Sequence, residues 1–142
     1  MNIEFYVLSS TEEIKKFRFV CQLVETIWQQ GQRICIQVAS LAQAQQLDTL
    51  LWTFKQERFL AHDIYSENTH SLALVFINYS VDFTCHHTDV LINLTEHIPP
   101  SHSQFERIIE MIDNTPTSRE SGRERYRFYR QAGYDLVTHE VA

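Results

Sequence analysis

Glycine is scarce in this chain. Gly31, Gly122 and Gly133 are all there is, and none stands in the spacing that lets a loop cradle phosphate. The turn after the first apolar stretch reads LSSTEE. It puts Glu12 and Glu13 where a phosphate group would need bare backbone N–H groups. No dinucleotide or triphosphate cofactor is expected. Proline is equally rare, at Pro99, Pro100 and Pro116, so regular elements can run between few breakpoints. The cysteines are odd in number; Cys21 and Cys35 lie in apolar periodic segments and are expected as reduced core residues. That usage favours a cytoplasmic protein. No apolar run is long enough to span a membrane, and the opening MNIEFYVL reads as a strand rather than a signal peptide. Basic residues are outnumbered, 12 against 18 acidic ones, for a net charge of −6. That balance argues against broad nucleic-acid binding, which takes a basic domain.

Catalytic and metal motifs are missing too. Cys85, His86 and His87 form a compact cluster of metal-ligand types. Adjacent residues of an extended segment face opposite ways, and no second cluster lies at zinc-site spacing. The other histidines, His62, His70, His97, His102 and His139, are scattered. There is no nucleophile elbow, and nothing around the cysteines supports a Cys–His pair. A binding module is favoured over an enzyme.

What is present begins with alternation. Asn2 to Leu8 has strand spacing. Ser9, Ser10 and Thr11 form a turn and cap before a helix that runs to Gln30, with Ile14, Phe17, Cys21, Val24, Ile27 and Trp28 at helical intervals. Arg33 to Val38 reads as a strand and Leu41 to Phe54 as a helix, with Leu41, Ala44, Leu47, Leu50 and Leu51 inward. Lys55 to Glu67 reads as a loop with at most one short strand. Leu72 to Ile77 is continuously apolar, as a buried central strand would be. Asn78 to Thr88 is a polar connection, Asp89 to Leu94 a strand, and Ser103 to Asn114 a helix with Phe105, Ile108, Ile109 and Ile112 on one side. Tyr134 to Val141 closes as a strand. Strands and helices alternating at these intervals predict one α/β domain over residues 1–142. It has three layers: a mostly parallel central sheet flanked by helices, with nucleotide-binding-like topology but no nucleotide site.

The charge concentrates in one place. Thr117 to Gly133, TSRESGRERYRFYRQAG, holds five arginines and two glutamates, about +3, and leaves −9 on the rest of the chain. As a helix, Pro116 stops what precedes it, Thr117 or Ser118 caps it, and Gly133 ends it. At helical spacing Arg119, Arg123, Arg127 and Arg130 share one side and Tyr126 borders them. Arg125 points away, and Phe128, Tyr129 and Ala132 are the core candidates. A solvated face with i,i+4 Arg–Glu pairs explains mixed charge. Like charges at that spacing repel, so an anionic partner is the economical explanation. Trp52 and Phe59 read on pattern alone as residues capping the core; the sharper alternative is an exposed aromatic patch for a protein partner.

Several segments carry a family resemblance. GRERYRFYRQAGYDL, IEFYVL, GQRICIQV followed by QAQQLDTLLWTF, the Phe59–His62 segment FLAH, and DVLINL together resemble the chi subunit of bacterial DNA polymerase III holoenzyme. R-E-R-Y-x-x-Y-R-x-A-G is the most specific of them. The resemblance implies a non-catalytic accessory protein of the clamp-loader assembly, without a cofactor. It implies a partner, the psi subunit, and a second one, the acidic C-terminal tail of single-stranded DNA-binding protein, which ends in phenylalanine. A DNA-repair helicase is left open as a further partner, and direct DNA binding is not expected. The tail site falls on Arg119, Arg123, Tyr126 and Arg127, with Arg130 beside them. Arg119 and Arg127 stand where the family commonly has lysine. Tyr134 and Leu136, with Tyr126, are candidates for the pocket of the tail's last ring. Trp52 and Phe59 match aromatic positions near the psi-facing surface. The alternative is a module that binds single-stranded nucleic acid through the same helix.

Overall fold

The computed structural model describes residues 2–53, 62–64, 75–79, 89–99 and 102–141, without the side chains of residues 52, 53 and 62–64. In chain order the elements are β1 (Asn2–Leu8), α1 (Glu13–Gln29), β2 (Ile34–Gln37), α2 (Leu41–Thr53), β3 (His62–Ile64), β4 (Val75–Asn78), β5 (Val90–Asn93), β6 (Arg107–Ile112), α3 (Pro116–Gln131) and β7 (Asp135–Val141). The strands form one seven-stranded sheet in the order β3-β4-β2-β5-β6-β1-β7. Every described pairing in it is parallel.

Strand alternation sorts the apolar residues onto two faces. Ile34, Ile36, Val90, Ile92, Ile109 and Met111 turn to one face and pack with Phe17, Val20, Cys21 and Val24 of α1 and Ala44, Leu47 and Leu51 of α2. Ile3, Phe5, Leu91, Ile108 and Ile112 turn to the other and pack with Tyr129 of α3. Two helices thus cover one face and α3 the other: a three-layer, Rossmann-like α/β fold, as the alternating pattern predicts.

Five local readings need correction. The segment expected as a helix over Ser103 to Asn114 is a single 3-10 turn, His102–Gln104, followed by β6. Its apolar residues serve both faces of the sheet, Ile109 and Met111 on one and Ile108 and Ile112 on the other. A short apolar run of this kind has no decisive period. Pro116 opens α3 rather than stopping its predecessor, and the N-cap is Thr115. Phe128 is 44% exposed and Ala132 is also exposed, whereas Tyr129 is fully buried. Cys21 is a free core thiol, pushed up by burial to about 12, but Cys35 is disulfide-bonded rather than reduced. Leu41, expected inward, is exposed on α2, and Ile14, at a helical interval in α1, is exposed too.

Candidate functional site

The residues after β6 build the start of α3 through a chain of short hydrogen bonds. The Asp113 carboxylate accepts from the Thr115 amide at 3.0 Å and from the Thr115 hydroxyl at 2.6 Å. The Thr115 oxygen in turn accepts from the Ser118 amide at 3.2 Å, which satisfies one of the helix's orphan donors. Lys16 of α1 reaches Asp113 at 3.4 Å. Burial pushes the Asp113 carboxyl up, but the Thr115 bonds and Lys16 outweigh it and leave the group below its ordinary range. At the far end Gly133, with φ of 88°, closes the helix. The Tyr134 amide bonds the Tyr129 carbonyl and the Gly133 amide bonds the Arg130 carbonyl, a Schellman arrangement that L side chains rarely permit.

The rotation of α3 about its axis is fixed from below. Arg125 is buried and donates from Nε to Glu110 Oε1 at 3.0 Å, from Nη1 to the Ser121 hydroxyl at 2.9 Å and to the Glu96 carbonyl at 3.1 Å. Tyr129 donates its hydroxyl to Glu110 Oε2 at 2.7 Å, and Asn93 Nδ2 donates to both carboxylate oxygens at 2.9 and 3.1 Å. Burial raises the Glu110 carboxyl above its usual range, against the pull of Arg125, Tyr129 and Asn93. The sequence places Arg125 off the cationic side. The structure shows what it does there: it ties the helix to β6.

With the helix fixed in this way, Arg119, Arg123, Arg127 and Arg130 are all exposed. Among the described residues no ion pair engages any of the four. Arg119, Arg123 and Arg127 line a shared outer recess with Asn114 and Pro116; Glu120 and Glu124 line it too. On the inner side lies a notch of about 370 Å³ between α3 and the β1–β7 edge of the sheet, lined by Phe5, Val7, Ile112, Gly122, Tyr126, Thr138, Arg119 and Arg123. Tyr126 packs edge-on against Phe5, ring centroids 5.4 Å apart. Apolar walls with two guanidiniums at the rim suit a ring that carries or adjoins a carboxylate, since arginine can hold a carboxylate through two parallel hydrogen bonds.

Tyr134 and Leu136 do not line this notch. They pack against the core beneath the C-terminal half of α3, where Tyr134 lies 6.1 Å from the Tyr129 ring. Arg130 lines neither recess. Phe59 and the side chain of Trp52 lie outside the described residues, as do Cys85, His86 and His87. Sequence reasoning missed Phe5, Val7, Ile112, Gly122 and Thr138. Gly122 carried the one available signal, a lone glycine inside a helical pattern. A Cβ there would stand 2.8 Å from Ile112 Cγ1, so its absence lets α3 close onto β6.

The chain aligns as a whole with curated proteins named DNA polymerase III subunit chi. It is 32% identical to that of Pseudomonas aeruginosa over 98% of this chain and 96% of the relative. It is 29% identical to that of Haemophilus influenzae over 97% and 96%, and 27% identical to that of Escherichia coli over 96% of each. Among solved structures, T4 UvsW superposes with a TM-score of 0.66 at 10% identity, over 99% of this chain and 41% of that one. An S. cerevisiae dbp5 variant bound to nup159, gle1, ip6 and adp gives 0.64 at 11% over 97% and 41%. At such identities the likeness is one of fold alone. Residues 1–137 match the family model described as DNA polymerase III chi subunit, HolC, and the chain belongs to that family.

Proposed function

We propose that this chain is a non-catalytic accessory subunit of the clamp-loader assembly of DNA polymerase III. In this reading it joins that assembly, through the psi subunit, to the acidic C-terminal tail of single-stranded DNA-binding protein in the cytoplasm. One observation carries the tail reading: Arg119 and Arg123, without an ion pair among the described residues, stand at the rim of the apolar notch beside Tyr126. The last ring of the tail enters the notch. Its α-carboxylate meets Arg123 or Arg119, and upstream aspartates meet Arg127 and Arg130. Trp52 and Phe59 are assigned to the psi-facing side on family resemblance. A short charged tail that orders on binding gives modest affinity, about micromolar. Many tails on one coated DNA raise the effective strength by avidity.

The test is a fluorescence anisotropy titration with a synthetic aspartate-rich peptide ending in phenylalanine, beside its C-terminal amide and beside naked single-stranded DNA. Binding of the free-carboxylate peptide, weakened on amidation, with no comparable retention of DNA, is the expected result. Preference for DNA over the peptide would move the assignment to the nucleic-acid-binding alternative, in which the arginines sit on phosphates and Tyr126 stacks on a base.

A further inference from the structure

β7 is the terminal strand of the sheet, paired to β1 on its inner side only among the described residues. It is also the strand beside the notch, into which Thr138 projects. The phase of its backbone follows from one bond: the Ser9 amide donates to the Val141 carbonyl at 3.2 Å. In a parallel pair alternate residues address the same neighbour. Asp135, Val137, His139 and Val141 therefore point their backbone groups at β1. Leu136, Thr138 and Glu140 point theirs outward, toward no described strand. The side chains of those same three residues lie on the α3 face, where Leu136 packs in the core, Thr138 lines the notch and Glu140 lines a recess with Arg119. On the opposite face His139 is stacked on Tyr6, ring centroids 4.7 Å apart.

An exposed strand edge is a template for an added strand. Here Arg119 and Arg123, which no ion pair among the described residues engages, line the notch together with Thr138 of that edge, so charge selects the occupant. We infer that the acidic segment preceding the ring-bearing terminus of the bound peptide pairs with β7 as an eighth strand. This deepens the tail reading above and rests on it. Charge also sets the direction. α3 runs antiparallel to β7, so Arg127 and Arg130 lie toward the start of β7, whereas Glu140 lies toward its end. An acidic segment whose last residue sits at Thr138 therefore extends back toward Leu136, parallel to β7. It continues the all-parallel order of the sheet. Backbone bonds to Leu136 and Thr138 give the segment affinity that does not depend on its side-chain sequence, and the arginines then require it to be acidic.

The experiment uses the full chain and an eight-residue peptide of aspartates and alanines ending in phenylalanine with a free carboxylate. Each backbone nitrogen of the peptide is methylated in turn and the affinity measured. An added strand predicts an alternating pattern: losses of tenfold or more at every second nitrogen and losses under about threefold between them. In parallel, the amides of Leu136, Thr138 and Glu140 are followed by hydrogen exchange, and those of Leu136 and Thr138 are expected to slow on peptide addition. A peptide that binds the chain while methylation shows no two-residue periodicity and these amides exchange unchanged overturns the added strand but leaves the tail site standing. A failure of the unmethylated peptide to bind overturns both.

Discussion

Arg125 and Glu110 make a closed ion pair beneath α3, with Nε donating to Oε1 at 3.0 Å and both side chains withdrawn from water. The pair does not touch the notch. It decides which way the helix faces, because Arg125 lies in sequence between Arg123 and Arg127 and must point inward for those two to point out.

Breaking that pair from one side leaves an uncompensated buried charge. Arg125→Met should destabilise the chain by about 3–5 kcal/mol at neutral pH. The sign of its pH dependence is fixed. Glu110 already has a raised folded-state value, so the folded chain holds a proton more tightly than the unfolded one and stability falls as pH rises through that value. Removing Arg125 raises the value further. The deficit of Arg125→Met relative to the parent should therefore shrink on acidification toward about pH 5, as read by chemical denaturation at the two pH values.

Asp113 behaves in the opposite sense. Its carboxyl is held low by Thr115 and Lys16, so the stability it contributes is present above the ordinary aspartate value of about 4 and is lost as pH falls through the lowered one. Asp113→Asn should weaken the start of α3 at neutral pH and flatten the acid limb of the stability curve. Parallel acid limbs in parent and variant would count against this role.

Gly122→Ala tests the contact of α3 with Ile112. Alanine favours a helix over glycine by about 1 kcal/mol, yet the added carbon meets Ile112 Cγ1 at 2.8 Å. Overpacking should win and destabilise by about 1–3 kcal/mol, with weaker peptide binding as the notch deforms. Ile112→Ala introduced into Gly122→Ala should cost less than Ile112→Ala in the parent, a favourable coupling measurable in a double-mutant cycle.

Arg123→Ala should weaken the acidic peptide by about 1.5–3 kcal/mol, the range for hydrogen bonds to charged groups, with the melting temperature unchanged because the side chain is exposed and unpaired among the described residues. Raising salt should weaken the parent more steeply than the variant. Equal peptide affinity in parent and variant would remove Arg123 from the site.

Much of the architecture was readable from pattern. Alternation in Asn2–Leu8 and helical spacing in Glu13–Gln29 each carry a period that only one element type satisfies. The stretch around Ile108 to Ile112 was not readable, because a strand buried on both faces has the same composition as a buried helix turn. Phe128 defeated a composition argument for a related reason: its helical angle excludes the cationic side, but whether anything covers it depends on the neighbouring segment.

The chain's own sequence determined the cationic row. Arg119, Arg123, Arg127 and Arg130 share a side because their spacing matches the helix, and the lack of a glycine-rich loop after β1 is equally a matter of sequence. Only the tertiary structure decided what stands beside that row. The notch joins Phe5 and Val7 of β1, Ile112 of β6 and Thr138 of β7 to Gly122 and Tyr126 of α3, residues far apart along the chain. They meet because parallel pairing puts β1 between β6 and β7, and because a buried carboxylate at Glu110 can be tolerated only where Arg125 and Tyr129 reach it. Helical spacing depends on local dihedral angles and is written in neighbouring residues. Strand order and the docking of a helix on a sheet depend on contacts across the whole chain, and those are settled only when it folds.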